Sequence, residues 1–143
     1  MNVPVDSPSA PILSVLIVAY KSCEELPACL DSIPRQLQGR AVEVIVVDNA
    51  SGDGTRELMA SRFGWVQFID SPVNLGFGKA NNLAYERATG EYVLFLNPDT
   101  ISNEAAYRHC LERLQADPTI GIISPKLVML DGEIDRKSTR LNS

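Results

Sequence analysis

The sequence is poor in the residues that build disulfide frameworks and metal clusters. It has three cysteines, Cys23, Cys29 and Cys110, and one histidine, His109, in 143 residues. An odd cysteine count with no C-x-x-C pair fits reduced, structural thiols in a cytoplasmic chain. Zinc-ligand spacing is missing too, which argues against a zinc site. No apolar run approaches the ~20 residues of a membrane-spanning helix. Positive charge is in the minority, with 13 Lys and Arg against 18 Asp and Glu and a net charge of −5. That balance argues against nucleic acid as the main partner. The opening "MNVPVDSPSAP" has neither a basic n-region nor an apolar h-region, so it does not read as a signal peptide. Its Pro/Ser content predicts a loose tail over residues 1–11.

Hydrophobic residues make up 45% of the chain and charges of both signs are present, which reads as globular. Apolar, β-branched runs recur at "ILSVLIVAY" (12–20), "VEVIVV" (42–47), "VQFI" (66–69), "YVLFL" (92–96) and "IGIIS" (120–124). Several are continuous rather than alternating, as expected of strands covered on both faces. Helical spacing lies between them. Leu26, Leu30, Ile33 and Leu37 form one stripe, which Pro34 should kink or end. Leu58, Met59 and Phe63 follow a cap at Asp53 or Thr55. Phe77, Ala80, Ala84 and Ala88 form a small-residue face, with Gly90 predicted to close the helix. Ala106, Cys110 and Leu114 follow a cap at Ser102 or Asn103 and stop at Asp117–Pro118. Alternating strands and helices predict an α/β fold, a mostly parallel sheet with helices on both faces.

"KLVMLDGEI" reads as a hairpin turning at Asp131–Gly132. The closing "DRKSTRLNS" (135–143) continues no pattern before it and matches, residue for residue, one reading frame of a common sequencing adaptor. It is expected to be an adaptor-derived tail. The fold is then expected to be truncated on its C-terminal side, with the hairpin's second strand lost at the junction.

In a parallel sheet, ligands bind outside the carboxyl ends of the strands. Two runs end there on a carboxylate: "VIVVDNASGDGT" at Asp48 and "YVLFLNPDT" at Asp99. One such Asp is weak evidence, since Asp favours turns and caps; two beside glycine-rich loops carry more weight. A calcium loop is excluded at Asp48, because the ligand position two residues on is Ala50. "GFG" at Gly76–Gly78 lacks the third glycine of a dinucleotide fingerprint, and "GKA" lacks the hydroxyl residue a P-loop needs after its lysine. What remains is a nucleotide held edge-on by Asp48, with a diphosphate near a divalent metal at Asp99. Pro98 restricts the backbone just before that ligand. Gly76 and Gly78 permit close backbone approach, and the helix after them can face phosphate. Lys79 adds charge there, and Asn81 or Asn82 faces ligand or caps a loop.

Taken together, "SVLIVAYKS", "VEVIVVDNASGDGT", "NLGFGKANN" and "YVLFLNPDT" resemble the family 2 glycosyltransferases of the GT-A, Rossmann-like fold, in particular the rhamnosyltransferase-like group. The resemblance covers residues 13–132. It implies that Ala19, Tyr20 and Asp48 contact the nucleotide and that Asn74, Gly76 and Asn81 lie near it. Asp99 takes the last position of the family's DxD-type metal motif, with Asn97 in place of the first Asp. The implied reaction is inverting transfer of a sugar from a dTDP- or UDP-linked donor to a saccharide or lipid-linked acceptor, with Mg²⁺ or Mn²⁺ at the diphosphate. In the family the carboxylate base lies further along the chain, so residues 12–134 are expected to be a donor-binding half, inactive in transfer as it stands. A cytoplasmic enzyme of polysaccharide biosynthesis, peripheral to the membrane's inner face, is the implied setting. A nucleotidyltransferase is the alternative, but it normally carries a basic glycine-rich loop where this chain has "AYKSCEEL". A fragment that binds a nucleotide sugar without turnover is the second alternative.

Overall fold

The computed structural model of the chain describes residues 9–129 and 131–132. Two compact units divide the chain, Met1–Asn103 and Glu104–Ser143. In the first, the order is β1 (Leu13–Ala19), α1 (Leu26–Asp31), β2 (Gln36–Leu37), β3 (Arg40–Asp48), α2 (Thr55–Arg62), β4 (Gln67–Asp70), α3 (Phe77–Arg87) and β5 (Tyr92–Leu96). Strand β1 lies between β3 and β5 and is parallel to both. β4 adds to β3 in parallel, while the short β2 pairs antiparallel with the start of β3. The chain builds outward from β1 to opposite sides, so a crevice forms at the carboxyl ends where the direction changes.

The continuous apolar runs behave as their composition predicts. Leu16, Val18, Ile45 and Val47 form one sheet face, packed against Ala80 and Ala84 of α3. Val15, Ile17, Val44 and Val46, on the opposite face, are buried too. Each such side chain contributes about 1.5–3 kcal/mol when fully buried. The alanines allow α3 to sit close to the sheet, and a larger residue at Ala84 would cost about 1–3 kcal/mol in overpacking. Phe77, expected on this same helix face, is instead exposed at the helix start.

The first helix is shorter than its apolar spacing suggested. It ends at Asp31 with Ser32 as its C-cap, because Pro34 keeps the residue before it out of helical geometry. Leu37, expected to extend the helical stripe, sits in β2. Its hairpin turns at Gln38 and Gly39, both at positive φ as a type I′ turn requires. For α2 the N-cap is Gly54, and Asp53 stands one residue outside, accepting from the Thr55 N–H and hydroxyl.

Gly90 serves another purpose than the predicted C-cap. Helix α3 ends at Arg87 and its C-cap is Ala88 in extended geometry. A Cβ on Gly90 would lie 2.6 Å from the Ser14 backbone nitrogen, so glycine is there for close approach. A polar knot forms at this amino end of the sheet. Glu43 Oε1 accepts from the Ser14 hydroxyl, from Thr89 N–H (2.5 Å) and from Gly90 N–H (3.2 Å), while Ser14 Oγ also accepts from Gly90 N–H at 2.8 Å.

In the second unit, α4 (Glu104–Ala116) buries Tyr107 and Leu111, one turn apart, and carries an Arg108–Glu104 pair on its exposed side. It stops before Asp117, as the Asp-Pro signal requires, and Asp117 accepts from the Thr119 hydroxyl and N–H. Those two bonds hold the Asp117 carboxyl below its ordinary range. The strand expected over 120–124 is not formed. No strand pairs with it among the described residues, and Ile122 is 93% exposed. An apolar run without a pairing neighbour leaves its backbone groups to water and has no reason to extend. Most of the expected N-terminal tail (1–8), the hairpin's second strand and the whole of 135–143 lie outside the described residues. Among the described residues no helix is long and apolar enough to cross a membrane.

Candidate functional site

The carboxyl edge of the first unit gathers the predicted residues from three strand ends and one loop. The sheet register sets Ala19 opposite Asp48, and Asp48 opposite Asp70, so β1, β3 and β4 end in line. Ala19 is fully buried and contributes its backbone carbonyl, which accepts from Asn49 N–H at 2.8 Å. Tyr20, the next residue, is 47% exposed. The Lys21 ammonium stands 5.4 Å from its ring centroid, a cation–π distance.

Asp48 is only 4% exposed. Its carboxylate is oriented by one residue: Ser51 donates its hydroxyl to Oδ1 (2.5 Å) and its N–H to Oδ2 (3.2 Å). Ser51 Oγ in turn accepts from Lys21 N–H at 2.8 Å, tying the β1 and β3 loops together. Asp53 makes a second tie, accepting from Cys23 N–H. Desolvation pushes the Asp53 carboxyl up, but the Thr55 hydroxyl and the Cys23 and Thr55 N–H groups outweigh it and hold the group below its ordinary range.

Two recesses open on this edge. One, of about 410 Å³, is lined by Asp48, Gly52, Asp53, Arg56, Asp70 and Ser71. Arg56 pairs with Asp70 at its rim. The other, of about 310 Å³, is lined by Tyr20, Asn49, Asn74, Gly76, Phe77 and Asn97, among others. Asp48 therefore opens into one recess, and Tyr20, Asn74, Gly76 and Asn97 into its companion. Gly76 holds φ +76 and ψ 168, a region open in practice only to glycine, and it is the N-cap of α3. Asn74 Oδ1 accepts from its N–H at 2.8 Å. The unpaired N–H groups of the first α3 turn add partial positive charge at that end of the helix. Lys79 is exposed one turn in, and Asn81 is buried on α3. Neither residue lines a recess.

Asp99 is exposed on the turn after β5 and lines neither recess. That turn is moored to α1. The Cys29 thiol donates to the Asn97 carbonyl at 3.7 Å, Thr100 N–H closes the turn on that same carbonyl, and Ser102 N–H reaches Ser32 Oγ at 3.0 Å. Burial, helped by the Asp99 charge and opposed by the Thr100 N–H, pushes the Cys29 thiol up to about 11. It is therefore a neutral donor at physiological pH. Among the described residues no group of three or more His, Cys, Asp or Glu side chains is placed to hold a metal. Asp99 still fits Mg²⁺ or Mn²⁺, because such ions are held by one or two carboxylates together with substrate phosphates and water.

Residue-type reasoning missed Asn49, Ser51, Cys29 and Ser32. Asn49 and Ser51 flank Asp48 in the "VDNAS" segment, and their adjacency to a strand-end carboxylate was the available signal. Nothing in the sequence links Cys29 and Ser32 to the Asn97 turn, since |i−j| is 68 and 70 for the two contacts.

The sequence model of the family described as "Glycosyl transferase family 2" matches residues 14–139. A PGL/p-HBAD biosynthesis glycosyltransferase of Mycobacterium tuberculosis is 36% identical over 100 residues, covering 68% of this chain and 39% of the relative. A poly-beta-1,6-N-acetyl-D-glucosamine synthase of Staphylococcus epidermidis is 27% identical, over 78% of this chain and 27% of the synthase. The chain thus spans well under half the length of these relatives. Among solved structures, a mannosyltransferase from Pyrobaculum calidifontis in complex with GDP-Man and Mn²⁺ superposes with a TM-score of 0.65 at 28% identity, over 79% of this chain and 34% of that one. S. aureus TarS, with a TM-score of 0.63 at 22% identity over 84% of this chain and 42% of its own, shares the fold.

Proposed function

The chain belongs to glycosyl transferase family 2, and on that premise we propose that its carboxyl sheet edge binds the nucleotide-diphosphate sugar of an inverting glycosyl transfer. The observation that carries this reading is that two recesses open on the carboxyl edge of the sheet, one lined by Asp48 and the other, at the start of α3, by Tyr20, Asn74, Gly76 and Asn97. Asp48, held by Ser51, accepts from a base N–H or ribose hydroxyl, and Tyr20 offers a ring face to the base. The first turn of α3 meets the diphosphate with its N–H groups. A divalent metal at Asp99, when bound, neutralises charge on the leaving diphosphate. The acceptor hydroxyl attacks the anomeric carbon, the bond to the diphosphate oxygen breaks, and a carboxylate base takes the hydroxyl proton. We place that base beyond Ile134, so that residues 12–134 supply donor binding rather than turnover. Residues 135–143 we read as adaptor-derived, with no part in the site.

Rhamnose as the transferred sugar is the finer reading, supported by the Asn97-Pro98-Asp99 motif. The acceptor we propose is a saccharide or a lipid-linked saccharide, reached at the cytoplasmic face of a membrane. Relatives named for polysaccharide and glycolipid synthesis support this class. Calorimetric titration with UDP, dTDP and GDP, with and without Mn²⁺, tests the donor reading. Binding of at least one, tightened by the metal, is expected, and no binding of any would overturn it. A transfer assay with dTDP-rhamnose and a lipid-linked acceptor tests the division of labour. Robust turnover by this chain would put the base within residues 1–134.

A further inference from the structure

Asn49 is 3% exposed, adjoins the candidate donor-binding carboxylate and borders the recess that Tyr20 and Asn74 line, with its side-chain amide bonded to backbone. Its bonds run to two separate segments. The backbone N–H donates to Ala19 O at 2.8 Å, fixing the end of β3 to the end of β1. The side-chain Oδ1 accepts from Leu75 N–H at 2.7 Å, and Nδ2 donates to Gly76 O at 3.4 Å. The amide cannot be turned over, because the Leu75 N–H demands an oxygen and the Gly76 carbonyl demands a donor. Gly76 is the N-cap of α3. The side chain thus grips the backbone just where the helix begins.

We propose that Asn49 is a positioning residue for the donor: its amide pins the Leu75–Gly76 backbone, and with it the first turn of α3, against the end of β3. The division of polar roles along "VDNAS" follows. Asp48 opens into its recess, Ser51 orients Asp48, and Asn49 sets the distance from Asp48 to the helix start that meets the diphosphate. Asn74, Gly76, Phe77 and Gly78 of this loop are all open to solvent, and Leu75 alone of residues 74–78 packs against the core, so the Asn49 bonds restrain the backbone beside that one apolar anchor. Of the two side-chain bonds, the 2.7 Å one is well formed and the 3.4 Å one is marginal, so Oδ1 to Leu75 N–H carries most of the restraint.

The inference rests on the donor reading, and the test separates the two. Asn49→Leu keeps the branched shape in a somewhat larger side chain and removes both side-chain bonds, Asn49→Ala removes them with a loss of volume, and Asn49→Asp keeps the acceptor for Leu75. UDP affinity is measured calorimetrically on folded protein, and amide hydrogen exchange is followed at Leu75. Asn49→Leu and Asn49→Ala are expected to bind UDP about tenfold more weakly, the scale of one lost buried hydrogen bond. Their Leu75 amide should exchange faster while the β1 and β3 amides stay protected. Asn49→Asp keeps the acceptor and should retain slow Leu75 exchange, while its added negative charge beside the Gly76 carbonyl and the diphosphate keeps the affinity low. A merely structural asparagine would shift the unfolding midpoint but leave UDP affinity of the folded protein unchanged. Wild-type affinity in Asn49→Leu therefore overturns the proposal, as does fast Leu75 exchange in Asn49→Asp, which also serves if the other variants do not fold. If wild-type protein binds no nucleoside diphosphate, the donor reading fails, and with it Asn49's role toward the donor. Leu75 exchange in Asn49→Leu then decides the strut alone.

Discussion

Glu43 stands near the start of β3 and Asp48 at its end, and hydroxyl and backbone donors surround both carboxylates. The donors to Glu43 come from different parts of the chain: Ser14 in β1, and Thr89 and Gly90 after α3. Among the described residues, those to Asp48 come from Ser51, three residues along. A carboxylate has about four lone-pair sites. Glu43 spends them cross-linking distant segments. Asp48 is oriented by its own loop, and the remainder opens into a recess. The polar contacts at the amino edge of the sheet are thus structural cross-links, and the proposed ligand chemistry lies at the carboxyl edge.

That contrast is most sharply broken by Asp48→Ala. Loss of a charge-assisted acceptor should weaken nucleoside diphosphate binding by about 1.5–3 kcal/mol, or roughly 10- to 150-fold. Calorimetry with UDP and dTDP reads the affinity, and unchanged affinity would remove Asp48 from the site. Gly90→Ala should act in the opposite sense, costing about 1–3 kcal/mol of stability through overpacking against Ser14. Urea unfolding measures this, and donor affinity of the folded variant should stay as in wild type. A milder version, Glu43→Gln, removes the charge from the knot and should cost about 1 kcal/mol in the same unfolding assay. If it weakened donor binding more than it lowered stability, the division between the two edges would fail.

An effect confined to alkaline pH belongs to Cys29, beneath the Asn97 turn. Its thiol is raised from 9.0 to about 11 in the folded chain. A raised folded value means that the stabilising contribution is complete below the unfolded value. Above it the unfolded chain ionises first, so stability falls as pH rises from about 9 towards 11. Cys29→Ser, with a hydroxyl that does not titrate there, should flatten this alkaline decline. Urea midpoints across that range provide the check, and an identical slope in both proteins would mean Cys29 is not the group responsible.

Much of the fold was legible because burial on both faces leaves its mark in composition. The runs at β1 and β3 are apolar without alternation, as expected of strands covered on both sides, and both are buried along most of their length, whereas β5, equally apolar, is only half-buried with Phe95 57% exposed. The elements that were misread depend on partners rather than composition. "IGIIS" is as apolar as a strand but has no paired neighbour among the described residues, and Leu37 fits a helical stripe that Pro34 had already ended. At the candidate site, Asp48 could be picked out because residue type and strand-end position coincide, and Gly76 because a glycine-rich loop precedes a helix; the roles of Tyr20, Asn74 and Asn97 came from the resemblance to the family's motifs. Asn49 could not be picked out, since an asparagine beside an aspartate reads as a turn until its amide is seen gripping Leu75 and Gly76.

The sequence by itself determined the alternation of strands and helices from β1 to α4, β2 excepted, the acidic character of the chain and the loops proposed to carry its chemistry. These follow from local apolar periodicity and from turn residues, which act within a few positions along the chain. Only the tertiary structure decided that Gly90 is a contact point rather than a helix cap, and that a thiol on α1 supports the Asn97 turn. It also decided that Asp48 and the start of α3 are joined by one amide. Each is a contact between segments far apart in sequence, and its geometry exists only once the parallel sheet has brought the strand ends together.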